Sequence, residues 1–230
     1  MFLYGKNSTR ERLRKTPQNV KQVFLQDGFD DQEIMSLLEN NHLPVSIESQ
    51  GQMEKIKKGE RHQGIILEIS DFQYSDLAGL LKGKKNLIFL DRLNDPQNLG
   101  LIMRIGACFG NWGIVIGEKE SCEVNETVLH VASGAENYLE VAKVSDFVSA
   151  LTQAKEAGYF VAGTDVKDGK VLDKNAMTFP LALILGSEGS GVSLEVAKMA
   201  DINFTIPNQG APLSLNVAMA ASIICYEISK

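Results

Sequence analysis

Three short segments of this 230-residue chain hold polar or charged side chains where a plain core would hold none. In QNLGLIMRIGACFG, Gln97 to Gly110, Arg104 is the single charged residue of a stretch that reads as a helix apolar on nearly every side. A guanidinium buried there needs a partner or a ligand, so Arg104 is either structurally paired or part of a site. Asn98, near the start of that helix, reads equally well as its N-cap. Helical side chains lean toward the N-terminus, so Arg104 can reach back toward the same end. In FPLALILGSEGSGVS, Phe179 to Ser193, an apolar strand runs into a glycine-rich turn whose only charge is Glu188. Its glycines, at 186, 189 and 191, follow neither the GxGxxG order of dinucleotide folds nor the GxxxxGK[ST] order of phosphate loops. The third segment, IPNQGAPLSLNVAMAASIICY, begins at Ile206 and lies inside 25 uncharged residues from Ile202 to Tyr226. Ser214 and Asn216 open its helix, as a cap and a satisfied polar group or as parts of a site.

The elements that must position these segments follow from periodicity. Strand-like runs at Val20–Leu25, Val45–Glu48 and Ile65–Ile69 alternate with helical stretches at Lys6–Lys15 and Asp31–Asn41, a small α/β unit over residues 1–75. The polar, glycine-containing stretch ending in LLKGKKN places a linker at 76–85. From residue 86 to 230 a second alternation predicts strands at Leu87–Leu90, Gly113–Ile116, Leu139–Val144, Tyr159–Gly163, Leu181–Leu185 and Ile202–Ile206. Helices are predicted at Gln97–Gly110, Asp146–Ala157, Ser193–Met199 and from Ser214 to Ser229. Apolar strands alternating with helices indicate a mostly parallel sheet covered on both faces.

The net charge of −6 opposes indiscriminate binding along nucleic-acid backbones, which requires many cations. Any RNA contact must be local, and Lys6, Arg10, Arg12, Arg14, Lys15 and Lys21, with only Glu11 among them, form a basic cluster suited to phosphate or to simple solvation. Cys108, Cys122 and Cys225 form neither a CxxC pair nor a Cys/His metal pattern, so no metal is expected and a reducing cytoplasm fits. The longest apolar run near the end, Leu213–Tyr226, is 14 residues, below the roughly 20 that span a bilayer.

In this order, DPQNLGLIMR, GSEGSG and SLNV resemble the three signature motifs of the SpoU/TrmH methyltransferases of the SPOUT superfamily, over about residues 86–230. The leading part, with YGKN and HQGIILEI, is similar to the ribosomal-protein-like RNA-binding domain of the rRNA guanosine 2'-O-methyltransferase branch. The resemblance implies a trefoil-knotted α/β domain, a homodimer, and S-adenosylmethionine as methyl donor. Pattern alone would predict an unknotted sheet, since knots are nearly absent from proteins. Carried over by position, the donor pocket involves Gly163, Thr164, Leu185, Gly186, Ile206 and Leu215. The catalytic group comprises Asn98, Arg104, Glu188, Ser214 and Asn216.

The implied reaction is 2'-O-methylation of a ribose in structured RNA, rRNA with guanosine favoured. A ribose hydroxyl is a weak nucleophile, so positioning it in line, roughly 3–3.5 Å from the methyl carbon, is most of the task. Arg104 would contact the hydroxyl and adjacent phosphate and stabilise the developing alkoxide; Asn98, Ser214 and Asn216 would orient it, and Glu188 would hold Arg104 or a loop. Ser187, Ser190 and Ala218 depart from the usual family residues and bear on substrate more than on reaction. The alternatives are a tRNA 2'-O-methyltransferase and a non-catalytic RNA-binding or ribosome-assembly protein keeping the fold. The resemblance also places the closing helix at a twofold interface, with Ala221 expected at its centre.

Overall fold

The computed structural model describes residues 1–164, 169–187, 189, 191–210 and 213–230. Two compact units are present: residues 1–73 with 124–138, and residues 74–123 with 139–230.

The first unit contains strands β1 (Phe2–Tyr4), β2 (Val20–Gln26), β3 (Val45–Glu48) and β4 (Ile65–Ile69), with helices α1 (Lys6–Lys15), α2 (Gln32–Asn40) and α3 (Gln50–Ile56). The sheet order is β1-β4-β2-β3, antiparallel except for the β2–β3 pair. Leu3, Val23, Leu25, Ile34, Met53 and Ile65 fill its core. Two cap signals fix helix starts: Asp31 accepts from the Ile34 amide, and Ser49 with Gln52 forms a reciprocal capping box.

The basic cluster of α1 is not a free cationic surface. Lys6 and Arg10 lie 3.4 and 3.2 Å from Asp31, Arg10 is 2.8 Å from Glu33, and Arg14 pairs with Glu11 at 2.8 Å and with Glu33. The cause is that α1 packs against α2, whose N-terminal end carries both acids. Arg12 is buried against Glu136 at 3.0 Å, and Lys15 lies 5.0 Å above the Tyr138 ring.

Glu136 and Tyr138 come from the inserted segment 124–138, which includes helix α6 (Glu126–Ala132). It joins the unit through further contacts: Glu126 pairs with Lys57 at 2.6 Å, and His130 stacks on Tyr4 with centroids 4.4 Å apart. A Cβ on Gly134 would lie 2.5 Å from Cβ of Glu11, which explains a glycine at this crossing, where φ is +98°. Periodicity groups this segment with residues 86–230; its partners in this unit lie between Phe2 and Lys57, a distance in sequence that periodicity does not register.

The second unit is built on helix α4 (Leu77–Lys82) and a seven-stranded sheet: β5 (Asn86–Asp91), β6 (Trp112–Gly117), β7 (Val141–Val144), β8 (Phe160–Thr164), β9 (Lys170–Val171), β10 (Leu181–Gly186) and β11 (Ile202–Thr205). Helices α5 (Pro96–Phe109), α7 (Phe147–Glu156), α8 (Leu194–Ala197) and α9 (Val217–Ser229) complete it. All its pairings are parallel, in the order β7-β6-β5-β10-β8-β11-β9. Every residue of β5 is buried, as expected for a parallel strand covered on both faces. Leu87, Phe89, Val115, Val161, Ala182 and Ile184 form one core with α4, α7 and α8. The alternate residues Ile88 and Leu90 are equally buried, as are Leu99, Ile102 and Met103 of α5. Among the described residues no helix is long and apolar enough to cross a membrane.

The last two helices are shorter than expected. Helix α9 starts at Val217 rather than Ser214, because Asn216 caps it, and α8 occupies only four residues.

Candidate active site

The site begins where two helices start. Pro96 occupies the first turn of α5, where its missing N–H costs nothing, and Asp95 caps the helix, Oδ1 accepting from the Gln97 amide at 2.9 Å. Asn98 is therefore one turn inside the helix and is not the N-cap. It is 2 % exposed, and its Nδ2 donates to Asp95 Oδ2 at 3.0 Å. Its Oδ1 accepts from Asn216 Nδ2 at 2.9 Å, a bond between residues 118 apart in sequence. Asn216 Oδ1 in turn accepts from the Ala218 and Met219 amides at 2.8 and 3.3 Å, closing the first turn of α9. Two residues picked out separately in sequence thus meet at the junction of α5 and α9, which pack along each other.

Arg104 lies farther along α5 and is exposed, against the expectation of a buried guanidinium. The helix is apolar on most sides, but only Leu99, Ile102, Met103 and Gly106 of that stretch, with Asn98 and Gly100, face the core. Leu101 and Cys108 are exposed on the same outer side. Arg104 makes no hydrogen bond or ion pair with a described residue, so it is a cation presented outward. Ser214 is likewise exposed and precedes α9 without capping it. Glu188 lies outside the described residues, as does Ser190.

Five of the six residues expected around a methyl donor gather by strand order, and Leu215 lies outside the strands. Strand β10 lies between β5 and β8, with Ile184 opposite Gly163, and β11 follows β8, with Phe204 opposite Thr164. Gly163, Thr164, Leu185 and Gly186 therefore lie at the carboxyl ends of adjacent parallel strands, and Ile206 just follows a third, the edge at which open α/β sheets bind ligands. Thr164 Oγ1 donates to the Ile184 carbonyl at 3.2 Å, which ties two of these ends together. Gly163 and Leu185 are buried, Thr164, Gly186 and Ile206 are half-buried, and Leu215 is exposed.

Two of these glycines have a steric reason. A Cβ at Gly186 would lie 2.1 Å from the Gly191 carbonyl carbon, and one at Gly163 would lie 2.2 Å from Asn203 Oδ1. Gly191 lies against the end of β10, its N–H donating to the Ser187 carbonyl at 3.0 Å.

Sequence reading missed three residues, two of which hold this edge and one of which caps α5. Asp91, 4 % exposed at the end of β5, accepts from the Ser193 amide at 2.6 Å, and Arg92 Nη2 reaches the Gly191 carbonyl at 3.5 Å. Asp95 is the third. The available signal was a carboxylate ending an otherwise uncharged buried strand, and an Asp directly before a helix-initiating Pro.

Two family models match. The SpoU rRNA Methylase family model covers residues 85–226, and a model described as RNA 2'-O ribose methyltransferase substrate binding covers residues 2–75. A 23S rRNA (guanosine-2'-O-)-methyltransferase, RlmB of Nitrosomonas europaea, is 30% identical over 233 residues, 98% of this chain and 90% of that protein. The SpoU methyltransferase AviRb of Streptomyces viridochromogenes, solved with AdoMet, superposes with TM-score 0.82 at 20% identity, over 100% of this chain and 89% of that one. The TrmH/SpoU tRNA modifying enzyme of A. aeolicus gives TM-score 0.54 at 27% identity, over 66% of this chain and 80% of that one.

Fold, site and matched models together define an RNA 2'-O-methyltransferase. The chain belongs to the SpoU/TrmH family.

Proposed function

We propose that this chain methylates the 2'-hydroxyl of a ribose in structured rRNA, guanosine favoured, using S-adenosylmethionine, and that it works as a homodimer with a knotted catalytic domain. The observation that carries the reading is the Asn98–Asn216 bond, which locks the helix bearing Arg104 to the segment bearing Ser214. The rRNA assignment rests on the 30% identical guanosine methyltransferase, matched over nearly the whole chain, whereas the tRNA-modifying neighbour is matched over two thirds of it.

The residues present suit the donor. The six pocket residues carry no charge, and the strand ends of β8 and β10 leave backbone N–H and C=O groups beyond the sheet ladder, with Ile206 and Leu215 as apolar surface. Bound there, S-adenosylmethionine supplies an electrophilic methyl group on a sulfonium. Exposed and without a described partner, Arg104 is assigned here to contact the RNA, holding the phosphate and stabilising negative charge developing on the hydroxyl oxygen. Asn98 and Asn216 serve as the brace that sets the helix crossing, and Ser214 and Glu188 complete the proposed group.

The dimer reading rests on α9. Val217, Ala218, Ala221, Ile224, Cys225 and Ile228 face the core of the same protomer. Ala221 is 0 % exposed, so it is not the centre of an intermolecular surface. Met219, Ile223 and Tyr226, spaced for one helical face, are 61 %, 40 % and 54 % exposed, with Leu101 of α5 at 40 %. A charge at Ile223 would appear twice, close together, in a symmetric contact. Ile223→Glu is expected to yield a folded monomer with little methyl transfer, measured by light scattering and single-turnover assay. A persistent dimer would move the interface elsewhere.

RNA contact through the first unit is assigned to a run of cations close in sequence; Lys21 of β2 is also exposed and forms no ion pair with a described residue. Lys55, Lys58 and Arg61, at the end of α3 and just beyond it, are exposed and form no ion pair with a described residue. Changing all three to Glu is expected to weaken RNA binding about tenfold or more at moderate salt and to flatten the salt dependence, while donor binding measured by calorimetry stays the same. This is a cleaner test than deleting residues 1–75, which would strip the partners from Glu126, His130 and Glu136.

The reaction itself is tested by mapping 2'-O-methyl groups on RNA from cells with and without the gene, then repeating the transfer in vitro. Loss of one rRNA methyl group, restored by the purified protein, is the expected result. A lost tRNA methyl group would reassign the substrate, and an unchanged map with no transfer in vitro would support the non-catalytic alternative.

A further inference from the structure

We propose that Asp95 is a positioning residue that dictates the orientation of both asparagine amides at the helix junction and thereby sets the crossing of α5 and α9. An ionised carboxylate only accepts hydrogen bonds, so Asn98 must turn its NH2 toward Asp95 Oδ2, 3.0 Å away. The Asn98 carbonyl oxygen then faces Asn216, which must present its own NH2, at 2.9 Å. That leaves Asn216 Oδ1 facing the amides of Ala218 and Met219, which can only donate. The direction is dictated from both ends, by a carboxylate at one and helix N–H groups at the other.

The chain of bonds has one consistent polarity, and replacing Asp95 by the isosteric Asn reverses the demand at its start. Asn is as good an N-cap, so its oxygen keeps the Gln97 amide and its NH2 is left facing the NH2 of Asn98. Flipping Asn98 moves the conflict to Asn216, and flipping that residue moves it to the first turn of α9. Asn216→Asp creates the opposite conflict, oxygen against oxygen, at Asn98. The double change, D95N with N216D, makes the relay consistent again in the reverse direction: Asp at 216 caps α9 and accepts from a flipped Asn98, whose oxygen accepts from Asn at 95. Net charge is conserved.

The functional half of this inference rests on the reading under Proposed function; the relay itself does not. The experiment is a double-mutant cycle on the full chain, read by thermal midpoint and by single-turnover and steady-state methyl transfer. D95N is expected to lower the midpoint and to reduce kcat roughly 10–100-fold, with KM for RNA changed less than about threefold, the span of an unpaired buried polar group. N216D is expected to lower the midpoint as well. The double variant should recover the midpoint and at least about tenfold of kcat over D95N. Additive loss of stability in the double variant would overturn the relay. Recovery of stability without recovery of kcat would overturn the role of Asp95 in catalysis while leaving the bonds in place. If D95N could not be purified, a folded double variant would support the relay, and an unfolded one would overturn it. Absence of methyl transfer by the unmodified protein would fail the functional reading alone, since the thermal cycle is read without activity.

Discussion

Arg104→Ala is expected to reduce single-turnover methyl transfer by at least about 10²–10³-fold, the usual effect of removing a group that stabilises charge developing in the transition state. The thermal midpoint and the donor affinity should be nearly unchanged. The structural reason is that Arg104 is exposed and makes no bond with a described residue, so its removal leaves no buried partner behind. Arg104→Lys should fail almost as badly, because a point charge does not reproduce the planar fork that can hold a phosphate and a hydroxyl together. Near-normal rates for the alanine variant on the RNA identified by methyl mapping would remove Arg104 from the chemistry.

The second large effect concerns stability. Arg12 and Glu136 form a buried pair at 3.0 Å, with side chains 8 % and 1 % exposed. Thr16 accepts from Arg12 Nη1 at 3.1 Å, and Asn137 donates to Glu136 at 3.1 Å. Arg12→Met leaves Glu136 buried without its cation, which costs about 3–5 kcal/mol. The double variant Arg12→Met with Glu136→Leu should recover most of that loss, since replacing both partners removes the desolvated charge.

The pH dependence adds a sign that can be checked. Burial pushes the Glu136 carboxyl above its ordinary value, and the neighbouring Arg12 charge only partly pulls it back. A carboxyl raised in the folded state favours folding most below its unfolded pKa, and that contribution is lost as pH rises through the folded value. Without Arg12 the shift grows. The stability gap between the parent and Arg12→Met, measured by urea unfolding followed in the first unit, should therefore be widest near neutral pH and narrow toward pH 4. A gap independent of pH would show that Glu136 is not the group left stranded.

Much of the candidate site was proposed from one dimension because its signals are local. A lone Arg in an apolar helix, a charge in a glycine-rich turn, and Ser and Asn opening an uncharged helix each violate a simple pattern within about 15 residues. Strands and helices followed for the same reason: a parallel strand buried on both faces is a short apolar run, and an amphipathic helix repeats every three to four residues. Order along the chain, with motifs spread from 95 to 217, then carried the family and with it the reaction class.

Only the tertiary structure decided which polar residues face one another. Whether Asn98 capped its own helix or braced another could not be read from its neighbours, because its partner is 118 residues away. Arg104 and Ala221 exchanged expected environments: both sit in nearly uncharged helices, and hydrophobicity alone does not say which stripe meets the sheet and which meets solvent or a second copy. The basic helix α1 read as a phosphate surface or a solvated face until α2 and the inserted segment 124–138 supplied acids that pair with it. Composition counts charges along a chain, whereas burial and ion pairing depend on distances through space, and those are settled only when the chain is folded.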